Sequence, residues 1–133
     1  MDVHVLFQTE SHFPVDRKRI KVAIEAALQH QVHRDAEVSI SIVGDRQMRA
    51  LNKKYRSIDK TTNVLSFGLN DPGDKKLDEF IEAPDDILRL GDIVVSYPQA
   101  VEEAREANTL VDDQVVFLVL HGLNHLLGIH HPE

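Results

Sequence analysis

The stretch from Val111 to Leu127 constrains this chain more than any other, because it is apolar nearly all round. A helix without a polar face has to be enclosed by other elements, so this segment is expected to be a buried central helix. A chain of 133 residues with 42% hydrophobic content can surround one such helix with a compact core. A single domain over residues 1–133 follows from that size.

The remaining elements read outward from that helix. Val3, Val5 and Phe7 alternate with polar residues and predict an opening strand. Asp16 is placed to cap a helix in which Ile20, Ile24 and Leu28 form one apolar face, up to about His30. Val38, Ile40 and Ile42 share one side of a second strand, and Gly44-Asp45 turns into a short helix carrying Met48, Leu51 and Tyr55. Asn63 to Phe67 reads as a buried strand, and Leu69 to Leu90, rich in Asp, Pro and Gly, as a long exposed excursion. Ile93 to Val95 predicts a further strand. Ser96-Tyr97-Pro98-Gln99 then fits a capping box with proline in the first turn, opening a helix to about Asn108.

The chain has no cysteine, which excludes disulfides, thiolate metal sites and cysteine nucleophiles and fits a reducing compartment. MDVHVLFQTE lacks the features of a signal peptide, and the longest apolar run, Val115 to Leu120, is too short to span a bilayer. A cytoplasmic location with no membrane role is expected. Fifteen basic and 22 acidic side chains give a formal charge of −7, which argues against nucleic-acid binding over the whole surface. The charge is uneven, however: Asp45 to Lys60 holds six basic and two acidic residues, whereas Asp71 to Asp113 holds thirteen acidic and four basic. A local anion site remains open.

Four of the eight histidines, His121, His125, His130 and His131, fall within eleven residues. On a helix, His121 and His125 stand one turn apart with Cβ atoms roughly 5–6 Å from each other, close enough to share an ion. A continuous helix would carry His131 about 15 Å along the axis from His121, so the helix is expected to stop, and Gly128 is the residue suited to stop it. Three histidines leave a fourth tetrahedral position open for water, the arrangement of a catalytic zinc site. The spacing H-x3-H-x2-G-x2-H is shared with metzincin zinc sites, and favours His131 over His130 as third ligand. The plainer alternatives are a hydrogen-bonded core histidine and a solvated tail. A zinc protease would place glutamate directly after the first histidine; here Gly122 stands there, so peptidase chemistry lacks its base. His4, His12, His30 and His33 read as surface or structural residues.

The second informative stretch is Leu51-Asn-Lys53-Lys54-Tyr-Arg56-Ser-Ile-Asp-Lys60-Thr-Thr-Asn-Val-Leu-Ser-Phe67. Lys53 and Lys54 read first as a solvated basic face. Arg56 sits at a helix exit before a buried strand, where its planar fork can hold phosphate oxygens in pairs. This segment, together with Leu90-Gly-Asp-Ile-Val-Val-Ser96 and the histidine motif, resembles the YbeY family of bacterial endoribonucleases and ribosomal RNA maturation factors over nearly the whole chain.

The resemblance implies a single-domain α+β, zincin-like fold, a small mixed β-sheet packed with helices. It implies one Zn2+ on His121, His125 and His131, and matches Arg56 to the family's functionally important arginine. Departures are Thr61 and Gly68 where the family usually has proline, and His130 where it often has aspartate. Relatives also usually continue into a helical tail.

The expected function is a zinc-dependent, single-strand-specific endoribonuclease in ribosomal RNA maturation and ribosome quality control. Arg56 is the expected catalytic residue, at the mouth of a cleft opposite the metal. Lys53, Lys54 and Lys60 are expected to bind RNA, and ribosomal RNA, the small ribosomal subunit and ribosome-associated proteins are the expected partners. The rivals are a ribosome assembly factor with a mainly structural metal and a metal hydrolase of another substrate.

Overall fold

A computed structural model describes residues 2–10, 12–68 and 87–130, without the side chains of Ile129 and His130. The elements run β1 (Val3–Thr9), α1 (Arg17–Leu28), β2 (Ala36–Val43), α2 (Asp45–Arg56), β3 (Val64–Gly68), β4 (Leu88–Ser96), α3 (Tyr97–Ala107) and α4 (Val111–His130). The four strands form one mixed sheet in the order β1-β2-β4-β3. β1 and β4 each lie parallel to β2, and β3 lies antiparallel to β4. This is the expected α+β arrangement.

Alternation along the strands divides the sheet into two faces. Val38, Ile40 and Ile42 of β2 and Ile93 and Val95 of β4 join Ile20, Ile24 and Leu28 of α1 and the apolar side of α4 in one core. Val43, Leu65 and Val94 point the other way and meet Met48 of α2, with Leu51 and Phe67 against them. Residues one apart on a strand face opposite sides, so α2 and α4 are held on opposite faces of the sheet.

α1 begins as its sequence predicts. The Asp16 carboxylate accepts from the Arg19 N–H at 3.0 Å, satisfying one of the otherwise unpaired first-turn donors. The capping box at α3 is only half formed. Ser96 Oγ accepts from the Gln99 N–H at 3.4 Å, but the Ser96 N–H is taken by the Asn63 carbonyl, so the Gln99 side chain turns to Asp45 instead. Sheet pairing has displaced the return arm of the box.

β4 starts at Leu88, five residues before the expected strand. The register slips between Glu37 and Val38, which pair with Arg89 and Gly91, leaving Leu90 as the extra residue of a bulge with its side chain fully buried. Gly91 makes this possible. Its φ is +135°, and a Cβ there would lie 2.1 Å from the Phe67 carbonyl oxygen. Most of the expected Leu69 to Leu90 excursion, residues 69–86, lies outside the described residues.

α4 differs from expectation in two respects. It is not buried all round: Val115, Leu118, Val119, Gly122, Leu123, Leu126 and Leu127 are buried, while Phe117, His121, Asn124, His125 and Gly128 form an exposed stripe. Nor does Gly128 end it, since the helix continues to His130. Gly91 is the one glycine with positive φ among the described residues, and nothing lies within 4 Å of a Cβ built on Gly128. Among the described residues nothing crowds that position, and glycine's modest helix penalty is not enough to end a helix.

The two glycines of α4 therefore respond oppositely to alanine. At Gly122 the new methyl would meet Ile93 Cγ2 at 2.8 Å and Cγ1 at 3.3 Å. Ile93 is buried and stiff, so overpacking of roughly 1–3 kcal/mol exceeds the helix-propensity gain of up to about 1 kcal/mol. Gly122→Ala is expected to destabilise by about 1 kcal/mol, and Gly128→Ala to stabilise by up to about 1 kcal/mol. Urea unfolding measures both; a loss of stability in Gly128→Ala would indicate a left-handed turn there.

Candidate active site

The exposed stripe of α4 brings His121 and His125 to one side of the molecule. Gly122, directly after the first histidine, faces inward against Ile93 and Val64. The histidines therefore stand over the end of the sheet where β3 lies. Ser66 of β3 reaches across: its Oγ is 2.7 Å from Nδ1 of His125. A serine hydroxyl can donate or accept; where Nδ1–H donates to Ser66 Oγ, the ring takes the tautomer whose Nε2 carries the free lone pair, a form that binds a metal.

Two exposed imidazoles one helical turn apart, one of them oriented by a hydroxyl, suit a borderline-soft divalent ion such as zinc. Among the described residues no third His, Asp or Glu converges with them. His131, the expected third ligand, lies outside the described residues.

Arg56 is exposed and is the last residue of α2, where Ser57 takes the left-handed conformation at φ 59° and closes the helix. α2 packs on the opposite face of the sheet from α4, and Arg56 stands at its C-terminal end, where the chain turns back toward β3. Along β3 the contacts alternate: Ser66 touches His125 on one side, and the Phe67 ring lies 4.9 Å from that of Tyr55 on the other.

Lys53 and Lys54 are exposed on α2, and the Lys54 ammonium sits 5.1 Å from the Tyr55 ring centroid. Lys60 is exposed and, with Arg46, Arg49 and Asp59, lines a shallow cavity of about 470 Å³.

Two residues that sequence reasoning gave no functional part fix the loop from Ser57 to Asn63. Oδ1 of Asp45 accepts from Thr61 Oγ1 at 3.0 Å, Ser96 Oγ at 2.9 Å and Gln99 Nε2 at 3.1 Å, joining α2, the loop, β4 and α3. Buried Asn52 donates Nδ2 to the Lys60 carbonyl at 2.9 Å. Between them, Arg49 Nε donates to Asp59 Oδ1 at 2.8 Å. The signal for Asn52 was its place on the buried side of α2; Asp45 gave none beyond a turn and cap.

Burial pushes the Asp45 carboxyl upward, but hydrogen bonds from Ser96, Gln99 and Thr61 outweigh it and hold the group below the usual carboxylate range. A lowered folded pKa gives stability that is present above the unfolded value near 3.8 and lost as pH falls through the folded value. The wild-type chain is therefore expected to lose stability as pH drops below about 4, and Asp45→Asn to be weaker at neutral pH but to lack this increment on acidification. Urea titrations of both proteins across that range test it; parallel acid limbs would contradict it.

Comparison with known proteins places this geometry in context. A family model described as endoribonuclease YbeY matches residues 6–133. An endoribonuclease YbeY of Dehalococcoides mccartyi strain 195 is 36% identical over 116 residues, covering 85% of this chain and 67% of that protein. One from Brevibacillus brevis is 39% identical over 102 residues, covering 73% and 64%. The solution structure of a Thermotoga maritima protein superposes with a TM-score of 0.59 at 23% identity, covering 95% of this chain and 72% of that one, and shares the fold.

Proposed function

This chain belongs to the endoribonuclease YbeY family, and we propose that it is a zinc-dependent, single-strand-specific endoribonuclease of the cytoplasm. Its proposed substrate is ribosomal RNA on the small ribosomal subunit, especially the 3′ end. Its proposed roles are maturation and ribosome quality control, alongside ribosome-associated proteins.

The observation that carries this reading is the His121–His125 pair on the exposed stripe of α4, with Ser66 on Nδ1 of His125. In the proposal His131 completes the ligand set. A bound zinc ion would supply Lewis acidity toward a phosphodiester oxygen. Arg56 holds the non-bridging oxygens of the phosphate through its planar fork, and the loop clamps at Asp45, Asn52 and Arg49 hold the chain that follows it. Lys53, Lys54 and Lys60 add attraction for the RNA backbone, on a chain whose net charge is otherwise −7.

One observation favours the assembly-factor reading: the position that carries the general base in zinc proteases is here Gly122, packed against Ile93 with no room for a side chain. Zinc removal separates the two readings. Each of the fully buried Val115, Leu123 and Leu126 side chains contributes roughly 1.5–3 kcal/mol to docking α4. Chelation is thus expected to lower the melting temperature and stop RNA cleavage without unfolding the chain, whereas unfolding at room temperature would mark the metal as structural.

Substitutions test the individual roles. Ser66→Ala is expected to weaken zinc affinity about 10- to 100-fold by freeing the His125 ring, as measured by competition with a chromogenic chelator. Arg56→Ala should retain zinc content and melting temperature while cleavage of structured RNA falls about a hundredfold, with Arg56→Lys intermediate. Equal cleavage by wild type and Arg56→Ala at matched zinc occupancy would remove Arg56 from the mechanism.

A further inference from the structure

Several large apolar side chains are exposed: Leu6, Val22, Tyr55, Ile58, Leu110 and Phe117. Scattered exposed apolar residues are ordinary. Phe117 differs in its position, since it heads the exposed stripe of α4 at 61% exposure and is followed at successive four-residue steps by His121 and His125. Each step advances about 6 Å along the helix, and residues four apart are surface neighbours. A bare benzyl ring thus stands one turn from the histidine pair.

Its ring is also uncovered in a way that Tyr55, the other exposed aromatic among the described residues, is not. Tyr55 has Phe67 on one side and the Lys54 ammonium over its face. Among the described residues no aromatic ring or cation lies against Phe117. The neighbouring stretch of α4 and its opening turn carry no basic side chain of their own; Asp112 and Asp113 lie in the first turn, and Arg19 of α1 is paired with Asp113 rather than free to meet a phosphate. This end of the stripe is therefore poorly matched to a phosphate and well matched to an uncharged flat surface. On an RNA substrate that surface is a nucleobase, and only an unpaired base can leave its own stack to lie on a protein ring.

We propose that Phe117 is the stacking platform for a nucleobase next to the phosphodiester held at the histidine pair, and that it is a determinant of this site's selection of unpaired RNA. The proposal rests on the reading of His121 and His125 as the centre of an RNA-cleaving site. Stacking on an aromatic side chain has the energetic weight to change affinity about tenfold per base, enough to discriminate single strand from duplex without any sequence preference.

The test uses the full chain and a fluorescently labelled single-stranded oligoribonucleotide, with a duplex of the same length as comparison, measuring affinity by anisotropy and cleavage in parallel. Phe117→Ala is expected to bind the single strand about tenfold more weakly with unchanged duplex affinity and melting temperature, and Phe117→Tyr to bind like wild type. In a series of abasic oligonucleotides, one position should abolish the difference between wild type and Phe117→Ala. Equal single-strand affinity of wild type and Phe117→Ala would overturn the proposal, as would full rescue by Phe117→Leu, which is apolar but cannot stack. A change of oligomeric state in Phe117→Ala with RNA affinity unaltered would assign the ring to a protein interface and overturn it too. If wild type cleaves RNA and Phe117→Ala does so equally, this inference alone fails; if wild type neither binds nor cleaves it, the underlying reading fails as well.

Discussion

At Gly122 the backbone of α4 passes so close to the sheet that a single added methyl would sit 2.8 Å from Cγ2 of Ile93. That approach fixes both the distance and the rotation of the helix. With Gly122 turned inward, the buried positions Val115, Leu118, Val119, Leu123 and Leu126 follow from helical spacing, and Phe117, His121, Asn124 and His125 are turned outward together. The same contact lowers the helix toward β3, where Ser66 meets His125. A residue that looks like a missing catalytic base in the sequence is, in the fold, the contact that sets the histidines in place.

The second half of the site is governed by the pleat of β3. Ser66 faces α4 while Leu65 and Phe67 face α2, so the basic end of α2 and the histidine pair flank one strand from opposite sides. The loop after α2 is well tied: Asp59, Lys60 and Thr61 are each held by a side chain of α2, from Arg49, Asn52 and Asp45. Such ties limit the orientational freedom lost when a ligand is gripped there.

Periodicity made most of this fold legible. The apolar spacing of Ile20, Ile24 and Leu28 and the alternation through Val38, Ile40 and Ile42 each correspond to a buried face. What escaped was long-range. Gly91 falls before the strand expected at Ile93, yet its freedom to adopt φ +135° lets β4 run back to Leu88 through a bulge. Gly128 reads as a helix stop, yet the helix passes through it, because a glycine ends a helix only where its surroundings demand the turn. The histidine pair and Arg56 were recognisable from spacing and residue type, whereas Ser66 and Asp45 act through partners 59 and 51 residues away and leave no local trace. The exposed stripe on α4 was hidden by Phe117, which makes an outward-facing side look apolar.

The central claim is that Ser66 holds His125 in the tautomer that offers Nε2 to a metal. Nitrogen NMR of the histidine rings in the zinc-free, 15N-labelled protein tests this directly, since protonated and unprotonated ring nitrogens differ widely in shift. The account predicts a neutral His125 with its proton on Nδ1, a zinc-induced shift confined mainly to Nε2, and loss of the tautomer preference in Ser66→Ala. A His125 protonated on Nε2, with zinc shifting Nδ1 or neither nitrogen, would contradict it.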